Sequence, residues 1–258
     1  MTRIYAITNQ KGGVGKTTTS INLAASLAAT RRRVLLVDMD PQGNATMGSG
    51  LDKYELQTTS AELLLGQAEA RAAIERLEHT GYDMIGANGD LTAAEVELMN
   101  QFGREFKLKR ALEPVLPDYD FILIDCPPSL NMLTVNALVA AQGVIIPMQC
   151  EYYALEGLTA LMQTIESIRE AVNPELEIEG LLRTMYDPRN NLAQDVSGQL
   201  KEHFGDKVYN TIIPRNIRLA EAPSHGMAVI HYDKQSKGAL AYLALAGEIL
   251  RRQTRTAA

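Results

Sequence analysis

One short segment near the amino terminus constrains the fold more than any other part of the chain. An apolar run at residues 4–7 is followed by the glycine-rich segment 11–17, KGGVGKT, and then by a helical pattern that begins at Lys16. A glycine-rich turn between a strand and a helix collects free backbone N–H groups and the positive end of the helix dipole. The segment therefore predicts a phosphate-binding loop.

The residue types in this loop fit a nucleotide site. Gly12, Gly13 and Gly15 let the backbone curl around an anion without a Cβ in the way. Lys16 supplies a positive charge for the β- and γ-phosphates, and Thr17 offers a hydroxyl group to Mg²⁺.

The loop departs from ordinary P-loop spacing in two ways. Gln10 stands where that spacing has glycine, and Lys11 adds a second lysine to a loop whose ordinary form needs one. The second lysine indicates a variant of the motif.

Acidic residues follow two other apolar runs. Asp125 ends the run 121–124, where it can bind the magnesium shell through water. Asp38 and Asp40 follow the run 34–37 and should emerge at the same edge of a parallel sheet. One of them is a candidate to orient an attacking water, and for Asp38 a structural cap or turn is an equal alternative.

Strand and helix patterns alternate along the chain, which predicts a doubly wound α/β fold with a mainly parallel sheet flanked by helices. We expect residues 1–258 to form a single domain. Within it, residues 50–118 carry little motif signature, so their structure is predicted from periodicity alone. Thr92 and Glu95 have capping-box spacing and predict a helix toward Asn100. The predicted strands are 4–7, 34–37, 121–124, 144–146, 178–182 and 208–213, and the other predicted helices are 16–29, 133–140, 155–172, 193–204 and 238–252.

Composition limits the location and the partners. The net charge is −6, but residues 181–258 hold eleven Lys/Arg against seven Asp/Glu, or +4, which leaves −10 for residues 1–180. An acidic total can therefore hide a basic face.

No signal-peptide pattern or spanning apolar run is present, so we expect a cytoplasmic protein. Cys126 and Cys150 are predicted to be buried, with no structural metal.

At its motifs the chain resembles the ParA/MinD group of P-loop ATPases with a deviant Walker A motif, and most of all chromosomal, Soj-like ParA partition proteins. The matching segments are 9–19 (NQKGGVGKTTT), 37–46 (VDMDPQGNAT), 124–129 (IDCPPS), 184–189 (TMYDPR) and 213–226 (IPRNIRLAEAPSHG). The resemblance implies a P-loop NTPase fold and an ATPase that uses ATP and Mg²⁺.

The resemblance also implies roles for individual residues. Lys11 would cross the interface of a homodimer that sandwiches ATP, Lys16 would serve its own phosphates, and Asp40 would position the hydrolytic water. Thr17 and, through water, Asp125 would bind the metal. Nucleotide binding is implied for Lys11, Gly12, Gly13, Val14, Gly15, Lys16, Thr17 and Thr18, and on the adenine side for Met185, Pro214 and Asn216.

ParA proteins of this type bind DNA without sequence preference as ATP-bound dimers, which implies a nucleoid-associated protein. Arg189 and Arg218 are the predicted contacts. Weaker candidates are Lys201, Lys234 and Lys237. The resemblance further implies a ParB-type partner whose basic segment stimulates hydrolysis. Because the chain begins at the P-loop strand, we expect no helix-turn-helix extension for operator binding.

Three other interpretations stay open. A MinD-like ATPase, associated with membranes or positioning protein clusters, shares the loop but would carry a C-terminal amphipathic anchor, and the last predicted helix lacks the dense cationic face of one. A relative of iron-protein reductases would need paired ligand cysteines. A non-enzymatic nucleotide-binding adaptor would have no use for Lys16, Asp40 and Asp125 together. The sequence does not determine which cargo the protein moves, or whether the protein forms dimers or filaments.

Overall fold

The computed structural model describes residues 2–152 and 154–256. Within these ranges eight strands form one sheet: β1 (Arg3–Ile7), β2 (Val34–Asp38), β3 (Ile74–Leu77), β4 (Tyr82–Ile85), β5 (Phe121–Asp125), β6 (Gly143–Met148), β7 (Glu177–Tyr186) and β8 (Val208–Pro214). Their order across the sheet is β3-β4-β2-β5-β1-β6-β7-β8. Only the pairing of β3 with β4 is antiparallel among these strands.

Helices cover both faces of the sheet. They are α1 (Lys16–Ala29), α2 (Asn44–Gly48), α3 (Ser60–Leu65), α4 (Ala70–Ala73), α5 (Asp90–Leu98), α6 (Lys107–Leu112), α7 (Met132–Ala140), α8 (Ala154–Ala171), α9 (Asn191–Phe204), α10 (Ile217–Glu221), α11 (Val229–Tyr232) and α12 (Lys237–Thr256). One apolar core lies under α1 and α12, and the other lies under α3 and α5 to α9. The fold is therefore the predicted doubly wound α/β architecture.

The register of the central strands aligns their carboxyl ends. Ile7 of β1 and Asp38 of β2 both pair with Asp125 of β5. These strands are apolar and buried on both faces, so sliding by one residue would carry every side chain to the opposite face. The phosphate loop after Ile7 and the two acidic strand ends must consequently meet at one edge.

All six predicted strands and the five long helices are confirmed, with ends shifted by a few residues. The helix predicted from Thr92 instead begins at Asp90, after Gly89, and has no side-chain cap. Glu95 is not part of a capping box, because its carboxylate bonds to the start of α7. A capping box is present at α3, where Thr59 and Glu62 bond to each other's backbone and side-chain groups.

Residues 50–118, which carry little signature, contain β3, β4 and the helices α3 to α6. β3 is a partly exposed edge strand of four residues, so it shows neither a long apolar run nor a clear alternation. Among the described residues, no helix is long and apolar enough to cross a membrane. Cys126 and Cys150 are buried free thiols, as predicted.

Candidate nucleotide site

The glycine-rich loop is shaped for an anion. Gly13 and Gly15 have φ of 72° and 87°, values that favour glycine, and Gly15 immediately precedes α1. A Cβ built at Gly12 or Gly13 would meet no protein atom within 4 Å. The space over these residues is open, so the glycines there leave room for a ligand and not for packing. The first backbone N–H groups of α1 face the same space.

Lys16 is folded back over this loop. Its side chain is buried, and its Nζ donates to the carbonyl oxygen of Lys11 at 3.1 Å. Burial lowers the pKa of the Lys16 ammonium group, and the nearby charges of Asp125 and Asp40 oppose that effect. A cation that is partly desolvated and held beside the glycine-rich loop is well placed to bind phosphate oxygens.

Asp125 lies under the start of α1 and holds two hydroxyl groups. Its carboxylate accepts from Thr17 Oγ1 at 2.8 Å and from Ser20 Oγ at 2.7 Å. Burial, followed by the charge of Asp38, raises the pKa of the Asp125 carboxyl group well above its ordinary range. A divalent cation would stabilise the ionised form, and a threonine hydroxyl group beside a carboxylate is an oxygen set suited to Mg²⁺.

The two candidate aspartates after β2 have different surroundings. Asp38 is fully buried, and its carboxylate accepts from the backbone N–H of Asp40 at 3.0 Å and from the backbone N–H and Oγ1 of Thr46 at 2.9 and 2.7 Å. Thr46 Oγ1 in turn accepts from the N–H of Ala87 at 2.9 Å. Asp38 therefore has the structural role, holding the loop 38–46 against the residues after β4.

Only one carboxylate oxygen of Asp40 accepts a hydrogen bond from the described residues. Its Oδ1 accepts from the backbone N–H of Gln42 at 2.9 Å, and no donor to Oδ2 is found in the described part of the chain. The residue is 8% exposed and contributes to the electrostatics of Lys16 and Asp125. Its second oxygen is available to a water molecule next to the phosphate loop.

Lys11 points away from the space that Lys16 covers. Its Nζ forms an ion pair with Glu151, which follows the carboxyl end of β6, at 2.5 Å. The two side chains are 44% and 51% exposed. Sequence reasoning did not identify Glu151, and the available signal was an acidic residue just after a strand end. The two lysines of the loop thus have separate environments.

A further contact that the sequence did not reveal joins the loop to β7. Thr184 Oγ1 donates to the carbonyl oxygen of Val14 at 2.7 Å, and both residues are buried. The loop is also fixed from β6, because Asn9 Nδ2 donates to the carbonyl oxygen of Pro147 at 2.8 Å. Partners more than a hundred residues apart in sequence cannot be identified from spacing.

The predicted adenine residues lie at the carboxyl ends of β7 and β8. Pro214 pairs with Tyr186, which places it beside Met185. Met185 has φ of 48°, uncommon for a residue with a side chain, and its sulfur accepts from Gln149 Nε2 at 3.0 Å. Asn216 caps α10, with its side-chain oxygen accepting from the N–H of Arg218 at 2.9 Å. The structure brings these residues to the edge that carries the phosphate loop.

Comparison with known proteins identifies the family to which this site belongs. A family model described as an AAA domain matches residues 2–178. The chromosome partitioning protein ParA of Caulobacter vibrioides is 51% identical over 253 residues, which cover 97% of this chain and 95% of that protein. The sporulation initiation inhibitor protein Soj of Bacillus subtilis is 53% identical over 249 residues, covering 96% and 98%. The chain belongs to the ParA family of P-loop ATPases.

A solved structure supports the assignment of this ParA-family ATPase. It is described as cobyrinic acid a,c-diamide synthase from Mycobacterium smegmatis with bound ADP and magnesium, and it matches with a TM-score of 0.87 and 41% identity over 98% of this chain and 96% of that one. The open loop, Lys16 and the Thr17–Asp125 pair fit the same two ligand classes. ATP and Mg²⁺ are therefore the cofactors of this ATPase.

The predicted DNA contacts of the ParA-family chain are exposed but ion-paired. Arg189 Nη2 lies 2.7 Å from Asp187 Oδ2, and Arg218 pairs with Glu221 at 2.8 Å and Asp233 at 3.4 Å. Both arginines follow the carboxyl ends of adjacent strands. Arg215, not predicted from the sequence, is exposed between them. The hydrogen bonds from Arg189 are the main cause of the lowered pKa of Asp187, and the charge of Arg215 adds to that effect.

The weaker lysine candidates are divided between two places. Lys234 and Lys237 follow Asp233, which forms an ion pair with Arg218. Lys201 lies beside Arg3 and Val208, at the amino ends of β1 and β8 and thus at the opposite edge of the sheet. Arg183 contributes to the basic count but is buried, where it donates to Ser197 and to the carbonyl oxygen of Tyr209.

Proposed function

We propose that this chain is an ATP-dependent DNA partition ATPase in which one domain, residues 1–258, carries both the ATP site and the DNA surface. Its ATP-bound dimer binds DNA without sequence preference, and ATP hydrolysis, stimulated by a ParB-type partner, releases it. The observation that carries the proposal is the separation of the two lysines: Lys16 is buried over its own loop, whereas Lys11 extends to the exposed Glu151. An exposed lysine at the rim of the loop is available to a second copy.

The site residues have distinct roles in the proposed hydrolysis. Lys16 and the backbone N–H groups of the loop bind the β- and γ-phosphates, and Thr17 with Asp125 holds the metal shell. Mg²⁺ supplies charge neutralisation on the phosphate oxygens when bound. Asp40 orients the attacking water with its available oxygen. Lys11 of the second copy completes the charge around the transferred phosphoryl group, so turnover depends on dimerisation.

The DNA surface is proposed at the arginines after β7 and β8. Arg189, Arg215 and Arg218 project from neighbouring loops, and guanidinium contacts to phosphates do not depend on base sequence. In the single chain, Asp187 and Glu221 neutralise two of these arginines. Two copies in one dimer would double the number of arginines on a shared duplex, which favours binding by the dimer over binding by the single chain.

Binding to duplex DNA of arbitrary sequence tests the proposal. The affinity is measured with ATP, with ADP and without nucleotide, using Asp40→Ala to hold the ATP state and repeating each titration at raised salt. Binding that requires ATP and weakens steeply with salt is the expected result. Absence of DNA binding in every state, with ATP turnover intact, contradicts the partition function but not the ATPase assignment.

A further inference from the structure

The carboxyl end of β7 holds the phosphate loop at the peptide bond between Val14 and Gly15. Thr184 Oγ1 donates to the carbonyl oxygen of Val14 at 2.7 Å, and Thr184 and Val14 are 2% and 1% exposed. A Cβ built at Gly15 would lie 3.9 Å from both Cβ and Cγ2 of Thr184. The hydroxyl group and the methyl group of Thr184 therefore both lie beside the residues that lead into α1.

This contact sets the direction of one backbone N–H group of the loop. The C=O and N–H groups of a trans peptide point in opposite directions. Because the Val14 carbonyl is held on β7, the N–H of Gly15 is turned away from β7. No acceptor for that N–H is found among the described residues, which leaves it available to a phosphate oxygen.

The two residues after Thr184 are also held in place. Met185 has a left-handed φ of 48°, and its sulfur accepts from Gln149 Nε2 at 3.0 Å. Tyr186 pairs with Pro214 of β8. A residue with a side chain keeps a left-handed conformation only when its surroundings fix it. Of these contacts, the one at Thr184 reaches the phosphate loop.

The proposed DNA contact follows directly after this segment. The Asp187 carboxylate accepts from the backbone N–H and Nε of Arg189, both at 3.0 Å, and from its Nη2 at 2.7 Å. Only Met185 and Tyr186 separate Asp187 from Thr184. A change in the direction of the chain after Thr184 would therefore move Asp187, and with it the guanidinium group that is 88% exposed to solvent.

We propose that Thr184 is a positioning residue that couples ATP binding to DNA binding. Its hydrogen bond leaves the Gly15 N–H free for a phosphate, and the same bond makes the position of residues 185–189 depend on the occupied loop. This inference rests on the proposed function, because DNA is the second ligand. Such coupling is reciprocal, so DNA strengthens ATP binding by the factor by which ATP strengthens DNA binding.

Paired substitutions test the hydroxyl group separately from the shape of the side chain. Thr184→Val removes the hydroxyl group and keeps the shape, whereas Thr184→Ser keeps the hydroxyl group. Thr80→Val is the matched control, because Thr80 is also buried and its hydroxyl group also donates to a backbone carbonyl, in the turn between β3 and β4. Every chain also carries Asp40→Ala, so that bound ATP persists.

Fluorescence anisotropy with a labelled duplex measures DNA affinity with saturating ATP and without nucleotide, and sedimentation velocity measures ATP-dependent dimerisation. We expect Thr184→Val to lower the DNA affinity of the ATP-bound dimer by about tenfold. Its dimerisation and its nucleotide-free DNA affinity should stay within about twofold. Thr184→Ser should restore most of the loss, and Thr80→Val should bind DNA normally even where its Tm is lower. Calorimetric titration with ATP should show the gain from added DNA reduced by the same factor in Thr184→Val.

The outcomes separate the two proposals. Unchanged DNA affinity of the ATP-bound Thr184→Val dimer overturns the inference, and so does an equal loss in Thr80→Val, which would reflect general destabilisation. Loss of dimerisation in Thr184→Val also overturns it, because Thr184 would then act at the ATP site alone. DNA binding that is absent, or independent of ATP, in the chain with Asp40→Ala alone overturns the proposed function, and the inference with it.

Discussion

Lys11 and Glu151 form an ion pair at the rim of the phosphate loop, with the Lys11 ammonium nitrogen 2.5 Å from a carboxylate oxygen. Lys11 has to leave this partner before it can contact a nucleotide in a second copy. Since both side chains are about half exposed, the pair contributes at most about 1 kcal/mol. If Lys11 crosses the interface as proposed, Glu151 opposes dimerisation weakly.

The first prediction follows from this pair. Glu151→Gln should strengthen ATP-dependent dimerisation by up to about fivefold, measured by sedimentation velocity across a concentration series. Glu177→Gln is the control, because its pair with Lys207 lies at the opposite edge of the sheet. Weaker dimerisation in Glu151→Gln would show that Glu151 contributes to the dimer instead.

The second prediction separates the two lysines of the loop. Lys16→Ala should weaken ATP binding by about a hundredfold or more, because it removes a buried charge over the phosphates. Lys11→Ala should leave ATP affinity within a few fold and abolish dimerisation. Calorimetric titration with ATP measures the first effect and sedimentation the second. Equal losses of ATP affinity in both variants would contradict separate roles.

The third prediction distinguishes the aspartates after β2. Asp40→Ala should retain ATP binding and the melting temperature but lose turnover, which accumulates the dimer. Asp38→Ala should lower stability by about 2–4 kcal/mol, because it leaves the buried N–H groups of Asp40 and Thr46 without their acceptor. Single-turnover hydrolysis and thermal unfolding measure the two effects. Full turnover in Asp40→Ala would remove the water-orienting role.

The fourth prediction concerns the arginines that are paired in the single chain. Arg189→Glu should spare ATP turnover by the free dimer and weaken DNA binding about tenfold, with a smaller salt slope. Asp187→Asn should strengthen DNA binding by a few fold, because it removes the carboxylate that competes with phosphate for Arg189. Fluorescence anisotropy with a labelled duplex measures both. Unchanged affinity in both variants would exclude this pair from the DNA surface.

The fifth prediction uses the raised pKa of the Asp125 carboxyl group. A raised pKa means that the folded chain binds the proton more tightly than the unfolded chain, so this contribution to stability is full at low pH and is lost as pH rises through the folded pKa. Above about pH 5, where ordinary carboxyl groups are ionised, Tm of the nucleotide-free chain should fall with rising pH. Asp125→Asn should flatten that slope in scanning calorimetry. Identical slopes would contradict the assignment.

Most of the sheet could be predicted because β1, β2, β5 and β6 are apolar runs buried on both faces. The phosphate loop after Ile7 marks the carboxyl end of β1 and with it the direction of the parallel strands. β3 and β4 escaped prediction because they are short and, in β3, partly exposed. The helix α5 was misplaced because Thr92 and Glu95 have capping spacing, whereas Glu95 is used by α7. Spacing alone does not distinguish a local partner from a distant one.

The candidate site was predictable to a similar degree. Parallel strands bring Asp38, Asp40 and Asp125 to one edge, so their proximity follows from the fold class. The residues alone left Asp38 and Asp40 as alternatives for the water-orienting role, and the resemblance implied Asp40. The hydrogen bonds from Thr46 that occupy the Asp38 carboxylate are encoded by no pattern. In the same way, the partners Ser20, Glu151 and Thr184 depend on tertiary packing.

The strand β7 contacts the phosphate loop through Thr184 and, within the next five residues, leads to Arg189. The phosphate loop and the proposed DNA contact are thus joined by one strand of the sheet. In the proposed function, the lifetime of the bound triphosphate therefore sets how long the arginines stay on the duplex.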